Sequence, residues 1–285
     1  MGASQTRSSI RRRQLARELR TLRETAQMTG EEVARTLGWS SAKVSRIENA
    51  AISIKSSDLR KLLKLYQVPD FQQDRLLELA RTADQRGWWD AVHPAFDDFN
   101  AYLGLEDEAH TVYSYSALVL HGLLQTEAYA HSLLADALAL SPGATRRQVE
   151  IRMRRQRRLT GPNPLQFRGV IDEAAIRRQV GGPEVMRGQL RHLLDLTDRP
   201  NIRLQILPFE AGAHPATTGP FIILRVPEPG ADVAYIELMN RSIYIDDDVD
   251  VHRHVLAFDV LRNKALPVEE TPEYLQRRLN ELEQS

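Results

Sequence analysis

The stretch Thr29–Ala50, TGEEVARTLGWSSAKVSRIENA, decides the fold of the first part of the chain, and it predicts two short helices joined by a tight turn. Thr29 and Glu32 have the spacing of a capping box, in which hydroxyl and carboxylate each accept a hydrogen bond from the other residue's backbone N–H. Gly38 predicts the end of the first helix, because glycine adopts the left-handed conformation at the lowest cost.

The second helix, predicted over Ser41–Asn49 with Ser40 as its N-cap, has two chemically different sides. Val44 and Ile47 point to one side, which has to be buried. The opposite side and its flanks carry small, polar and cationic groups and no carboxylate: Ser41, Ala42, Lys43, Ser45, Arg46 and Asn49. Such a surface can enter the major groove of DNA, with an arginine on guanine and a lysine on a phosphate. An ordinary helical hairpin with a solvated face is the alternative for this stretch alone.

The segment LGWSSAKVSRIEN, with TGEEVA before it, resembles the helix-turn-helix of the phage-repressor (XRE) type. The resemblance implies five helices over roughly residues 10–80, with Ser41–Asn49 as the recognition helix. It places Ser41, Ala42, Ser45 and Arg46 where the family reads bases. It places Ser40 and Asn49 where the family holds phosphates, and by their charge we expect Lys43 and Lys55 to contact phosphates as well.

The same resemblance implies one structural ion pair and reveals two departures from the family pattern. Arg23 and Glu48 match a pair that usually connects the first helix to the third. Gly30 stands where the family usually has Gln, so one contact to DNA is missing. Ala50 replaces the usual Gly, so the turn after the recognition helix has to form without the residue that best tolerates positive φ.

Length and charge predict two domains, over residues 10–83 and 88–285, with Gly87-Trp88-Trp89 at their boundary. Residues 1–87 hold 17 Lys and Arg against 10 Asp and Glu, a net charge of +7, whereas the remainder has a net charge of −7. The positive charge coincides with the helix-turn-helix, as phosphate binding requires. The chain has no cysteine, which excludes disulfides and Cys-based zinc sites. It has no apolar run of transmembrane length, so we expect a soluble, cytoplasmic protein without membrane contact.

The second domain is predicted as α+β, built on a mainly antiparallel sheet, which makes the whole chain α+β. Period-two alternation and turn residues place strands near residues 110–116, 165–172, 202–207, 220–226, 232–238 and 242–246. Helical periodicity places helices near residues 126–139, 145–160, 183–197 and 248–261, and a last one beginning at 271.

This second part also resembles a known family, through blocks that keep their order along nearly the whole chain. They include RGWW (86–89), GLLQTEAYA (122–130), RMRRQ (152–156), DEAAIRR (172–178), LQILPF (204–209) and GPFIIL (219–224). The family is one of actinobacterial regulators that join an XRE-type helix-turn-helix to a large C-terminal domain. Some members are described as antitoxin-like and are often encoded beside a small partner protein. The resemblance implies a transcription regulator.

Three features of the second part allow a functional and a structural interpretation. The helix at 145–160 has seven Arg, which indicate either a second nucleic-acid surface or pairing with the acidic remainder of its own domain; we favour the pairing. The loop at 209–219 contains Phe209 and His214, and a patternless loop of this length is often functional, so we expect it to shape a ligand or partner site. Asp172 and Glu173 follow a predicted strand and could act as acid and base, although a helix cap explains them equally well.

We predict neither a metal site nor a cofactor nor a catalytic site. Asp246–Asp250 with His252 and His254 invites a metal interpretation, but Asp at a helix start is ordinary capping, and the two His do not share a helical face. No nucleophile elbow, phosphate loop, zinc-protease motif or dinucleotide fingerprint is present.

The sequence therefore predicts a regulator that binds double-stranded DNA as a homodimer, with a C-terminal domain that dimerises and receives a signal. The alternative is an antitoxin-like interaction protein. In that case the C-terminal domain would bind a small protein partner or a small-molecule effector, and DNA binding would serve autoregulation.

Overall fold

A computed structural model describes residues 10–83, 97–138, 141–226, 232–239 and 241–284. The chain divides into two compact units, Met1–Gly104 and Leu105–Ser285. The domain limits 10–83 and 88–285 stay predictions, and the boundary expected at residues 87–89 lies outside the described residues.

The N-terminal unit is helical, and the five predicted helices are confirmed. They are α1 (Ile10–Thr25), α2 (Gly30–Leu37), α3 (Ser41–Glu48), α4 (Ser56–Leu65) and α5 (Asp70–Ala83), and a sixth helix, α6 (Asp97–Glu108), follows. The helices α1 to α5 share one core because each contributes an apolar stripe at helical spacing. Leu19, Val33, Leu59, Leu63 and Leu76 in this core are at most 1% exposed.

Left-handed residues follow four of these helices, and only one of the four is glycine. Gly38 after α2 has φ of 67°, as predicted, whereas Gln27, Ala50 and Gln67 after α1, α3 and α4 have φ of 55° to 56°. Side chains other than glycine adopt this conformation at a cost of roughly 1–2 kcal/mol. The turn after α3 is therefore made with Ala50 in the strained conformation that the sequence pattern implied.

We expect Gln67→Gly to raise the free energy of unfolding of this unit by about 0.5–1 kcal/mol, because glycine removes the left-handed strain and Gln67 is exposed. Ala50→Gly should gain less, since the Ala50 side chain is 3% exposed and a buried methyl contributes about 0.8 kcal/mol. Urea unfolding of both variants measures the difference. A lower stability for Gln67→Gly would contradict the strain.

The C-terminal unit is built on one six-stranded mixed sheet. Its strands are β1 (Thr111–Ser116), β2 (Gln166–Asp172), β3 (Ile202–Leu207), β4 (Phe221–Arg225), β5 (Val233–Glu237) and β6 (Ser242–Ile245), in the order β3-β2-β1-β4-β5-β6. The pairs β1/β2 and β2/β3 are parallel, and the other three are antiparallel. The predicted α+β class with a mainly antiparallel sheet is confirmed.

In the part of the chain that the structure describes, six helices accompany this sheet. They are α7 (Glu127–Leu138), α8 (Pro142–Gln156), α9 (Glu173–Arg177), α10 (Gly182–Thr197), α11 (Asp248–Lys264) and α12 (Thr271–Gln284). The helices α7 and α8 connect β1 to β2, and α10 connects β2 to β3, because parallel neighbours need a crossover. The helix α11 packs on β3, β4 and β5, while α12 packs on α10 and β3.

A buried ion pair joins α8 to the end of α6 within the C-terminal unit. The Arg155 guanidinium donates to both carboxylate oxygens of Glu106, at 2.7 and 2.8 Å. The two side chains are only 5% and 2% exposed. Nearby, burial lowers the pKa of His121 to about 3, and its Nδ1 accepts a hydrogen bond from the Leu123 N–H.

Candidate nucleic-acid interface

The helix-turn-helix begins with the predicted capping box. The Glu32 N–H donates to Thr29 Oγ1 at 3.2 Å, and the Thr29 N–H donates to a Glu32 carboxylate oxygen at 2.7 Å. These hydrogen bonds lower the pKa of Glu32 because they favour its charged form. The first helix of the motif therefore starts at a defined residue, and Gly38 ends it.

The helix α3 buries one side and exposes the other, as its sequence predicts. Ser40 is the N-cap, since its Oγ accepts a hydrogen bond from the Lys43 N–H at 3.2 Å. Val44 and Ile47 are each 3% exposed. The four predicted base-reading residues are all exposed: Ser41, Ala42, Ser45 and Arg46. The predicted phosphate contacts Ser40, Asn49 and Lys55 are exposed as well.

The two longer polar side chains of this surface fold back on their own helix. Arg46 Nε donates to the Ala42 carbonyl at 3.3 Å, while its terminal nitrogens make no hydrogen bond to any described residue. Asn49 Nδ2 donates to the Ser45 carbonyl at 2.9 Å and lies 3.2 Å from Ser45 Oγ. The Arg46 guanidinium thus keeps both terminal NH₂ groups available for a bidentate contact to guanine.

Lys43 differs from the other predicted contacts because its ammonium is already engaged within the protein. Its Nζ lies 2.7 Å from Asp58 Oδ2 and 3.8 Å from the centre of the Trp39 ring. The side chain is 30% exposed. This arrangement ties α3 to the first turn of α4, and a phosphate would have to compete with Asp58 for the same ammonium. Nothing in the sequence pattern indicates the Asp58 contact.

An ion pair between Arg23 and Glu48 holds α3 against α1, at the two positions that the family resemblance implies. Arg23 donates to the two Glu48 carboxylate oxygens at 2.8 and 3.0 Å, and to the Met28 carbonyl at 2.8 Å. The side chains are 14% and 11% exposed. The hydrogen bond to Glu48 raises the pKa of Arg23, so the cation is permanent.

An open groove of about 480 Å³ runs between the start of α2 and the outer side of α3. Its lining includes Arg20, Gly30, Ser41, Ser45 and Asn49. A Cβ at Gly30 would meet only a Val44 methyl, at 3.8 Å. The position therefore has room for the side chain that the family usually carries there.

Two further predicted site residues lie in the C-terminal unit, at the edge where β1, β2 and β3 end. His214 Nε2 lies 3.3 Å from the Tyr115 hydroxyl, which donates to Asp172 Oδ2 at 3.1 Å. Burial raises the pKa of Tyr115. Phe209 is 57% exposed, and its N–H donates to the buried carboxylate of Glu173 at 2.9 Å. The 209–219 loop therefore brings both predicted residues to this edge.

A cavity of about 520 Å³ opens beside Pro208 and Glu210, the two chain neighbours of Phe209. It is lined by α9, the start of the loop and α12, with Glu173, Arg177, Glu210 and Tyr274 among its residues. Glu173 forms an ion pair with Arg177, and contact with Glu173 together with burial raises the pKa of Tyr274 to about 12. Sequence reasoning did not single out Tyr274 or Arg177, because they meet only in the folded chain.

The cap interpretation holds for Asp172, whose Oδ1 accepts the Ala174 N–H at 2.9 Å at the start of α9. His254 Nδ1 lies 2.8 Å from the Asp250 carbonyl. Within the described ranges, no three Asp, Glu or His side chains cluster as a metal would need. In the same ranges, no helix combines the length and the apolar character that crossing a membrane requires.

The geometry of α2 and α3 defines a helix-turn-helix domain, and residues 14–76 match the family of that description. Residues 99–277 match a second family, described as a domain of unknown function (DUF5753). This second match covers more than half of the chain, which therefore belongs to the DUF5753 family. No curated protein and no solved structure matches the chain.

Proposed function

We propose that this protein is a sequence-specific transcription regulator that reads the major groove of double-stranded DNA with α3. The observation that supports the proposal best is the two-sided exposure of that helix. Val44 and Ile47 are buried, while Ser41, Ala42, Ser45 and Arg46 are exposed on a surface without carboxylates. Ser40, Asn49, Lys55 and, after release from Asp58, Lys43 would hold the phosphates that set the helix in the groove.

The proposal includes a homodimer. One recognition helix reads only a few base pairs, so a useful operator needs two half-sites, whose centres lie about 34 Å apart when two helices enter successive major grooves. The C-terminal unit would hold the two copies together. No enzymatic activity and no cofactor form part of this function.

We expect Arg46→Ala to lower the affinity for the preferred duplex by about 1–3 kcal/mol, because a bidentate arginine–guanine contact discriminates by that amount. Preference should relax at one base position of each half-site, while binding to random DNA should change little. The duplex can be selected from a random library with the parent protein, and affinities measured by fluorescence anisotropy.

Arg81→Ala is the matched control, because Arg81 is an exposed arginine on α5 that pairs with Glu78 outside the α3 surface. It should bind both duplexes as the parent does. If Arg46→Ala and Arg81→Ala retain the same base preference as the parent, Arg46 does not read bases.

The cavity beside Pro208 and Glu210 supports a second candidate function, the antitoxin-like one. In it the C-terminal unit binds a small protein partner or an effector, and DNA binding serves autoregulation. A cavity lined by Tyr274 and by both carboxylate and guanidinium groups is a suitable site for either ligand. Purification from the native cell tests this candidate. A stoichiometric small polypeptide would support sequestration, and a bound metabolite would support sensing. If the purified protein carries no polypeptide and no metabolite, the candidate is excluded.

A further inference from the structure

The arginine-rich segment around α8 separates into two groups of three in the folded chain, with the exposed Arg154 belonging to neither. Its seven arginines are Arg146, Arg147, Arg152, Arg154, Arg155, Arg157 and Arg158. Three of them contribute to the fold: Arg155 pairs with Glu106, Arg152 donates to the Gln125 side chain at 2.7 Å, and Arg158 donates to the Ala109 carbonyl at 2.8 Å. Pairing within the domain, the interpretation favoured from the sequence, therefore accounts for part of the segment only.

Arg146, Arg147 and Arg157 form the second group, which we call the α8 arginine strip. All three are exposed, and none makes an ion pair or a side-chain hydrogen bond with any residue in the described part of the chain. Arg146 and Arg147 are consecutive on α8, and Arg157 directly follows the last residue of that helix, where a short 3-10 helix begins. At 1.5 Å per residue the strip is about 16 Å long.

Two of the three arginines, Arg146 and Arg147, lie toward the positive end of the helix dipole, whereas Arg157 follows Gln156 at the negative end, where a cation is favourable. The helix α8 has no acidic residue in its first turn, and Arg146 and Arg147 lie within its first two turns. Cations near the positive end of a helix destabilise it, whereas anions there stabilise it. Glu150 is the one carboxylate in the sequence of α8, and the unit around the strip belongs to the acidic part of the chain. Among the described residues, no ion pair or side-chain hydrogen bond accounts for the three arginines.

We propose that the α8 arginine strip is a second phosphate-binding surface, through which the C-terminal unit holds the DNA backbone without reading bases. This inference rests on the proposed function, because the helix-turn-helix supplies the duplex at high local concentration to a unit in the same chain. Arginine suits this ligand, since its planar guanidinium donates two parallel hydrogen bonds to a phosphate. Backbone contacts of this kind add affinity equally for all sequences.

The experiment uses the full chain with Arg146→Gln, Arg147→Gln and Arg157→Gln combined. Affinities for a selected duplex and for a random duplex are measured over a salt series. Each phosphate contact contributes about 0.9 to the slope of log affinity against log salt, so the three contacts of one protomer should reduce the slope by about 2.7, and those of both protomers of the proposed homodimer by about 5.4. Both affinities should fall by the same factor, on the order of tenfold or more, and the preference for the selected duplex should be retained.

A matched control removes three exposed arginines outside α8, with Arg199→Gln, Arg241→Gln and Arg253→Gln, and so changes the net charge equally. It should keep the parent's slope to within about one phosphate contact. The Tm separates binding from a structural role. The strip variant should keep a Tm close to the parent's, because all three side chains are exposed and surface substitutions change stability little.

Three results would overturn the proposal. These are a strip variant with the parent's slope, a slope lowered equally in the control, or a Tm well below the parent's. A strip variant that binds DNA normally but loses an acidic protein partner would assign the strip to that partner instead. A parent that binds no duplex at all would remove the proposed function and this inference together, whereas failure of the strip alone leaves the α3 interface intact.

Discussion

Replacing Arg155 by Met is expected to lower the free energy of unfolding of the C-terminal unit by about 3–5 kcal/mol, because it removes the cation that pairs with the buried Glu106 carboxylate. The Glu106 side chain is 2% exposed, and both of its carboxylate oxygens accept hydrogen bonds from this one guanidinium. Met keeps most of the aliphatic volume, so the effect reports the charge rather than a cavity.

Urea unfolding followed by circular dichroism, with hydrogen exchange in α8 to assign the transition, measures this change. Arg147→Met on the same helix is the control and should shift the stability by less than about 0.5 kcal/mol, as exposed sites do. The double variant Arg155→Met with Glu106→Leu should recover much of the loss, since replacing a buried pair by apolar residues is often neutral. A single variant as stable as the parent would show that Glu106 is not held as a buried anion.

Arg23→Met is expected to lower the free energy of unfolding of the N-terminal unit by about 2–3 kcal/mol, in the range for hydrogen bonds to charged groups. The substitution removes both hydrogen bonds to Glu48 and the one to the Met28 carbonyl. Because Glu48 ends α3, the last turn of the recognition helix should loosen at the same time. DNA affinity should therefore fall more than a surface substitution would explain.

Arg20→Met provides the comparison, because Arg20 and Glu24 form an ion pair whose side chains are 59% and 55% exposed. Exposed pairs of this kind contribute about 0–1 kcal/mol, so this variant should differ little from the parent in stability. Thermal unfolding of both variants, with hydrogen exchange in α3, distinguishes them. Equal losses for the two arginines would mean that the Arg23–Glu48 pair does not hold α3.

The N-terminal unit could be predicted from sequence because its signals are local. Thr29 with Glu32, Gly38, and Ser40 each act within four residues, so capping chemistry alone gives helix ends that agree with the structure. The helical spacing of Val44 and Ile47 among polar residues predicts which side of α3 faces the core. Strand positions in the C-terminal unit were also predictable to within about two residues, since alternation and turn residues limit them.

Contacts between distant segments could not be predicted in this way. The parallel pairing of β1 with β2 depends on the crossover through α7 and α8, and no pattern within either strand indicates it. The engagement of Lys43 by Asp58 likewise joins two helices across a loop. For the arginines of α8, spacing gives the face of the helix, but only the folded chain shows which of them meet Glu106 or Gln125.

The position of β1 in the sheet has a consequence for biosynthesis. This strand pairs with β2 on one side and with β4 on the other, so its second neighbour leaves the ribosome only after both helical crossovers. The N-terminal unit, whose contacts are closer along the chain, can complete its folding before that point. During translation one edge of β1 therefore stays unpaired until β4 has been synthesised. We expect the nascent C-terminal unit to need chaperones during this time, whereas the N-terminal unit should not.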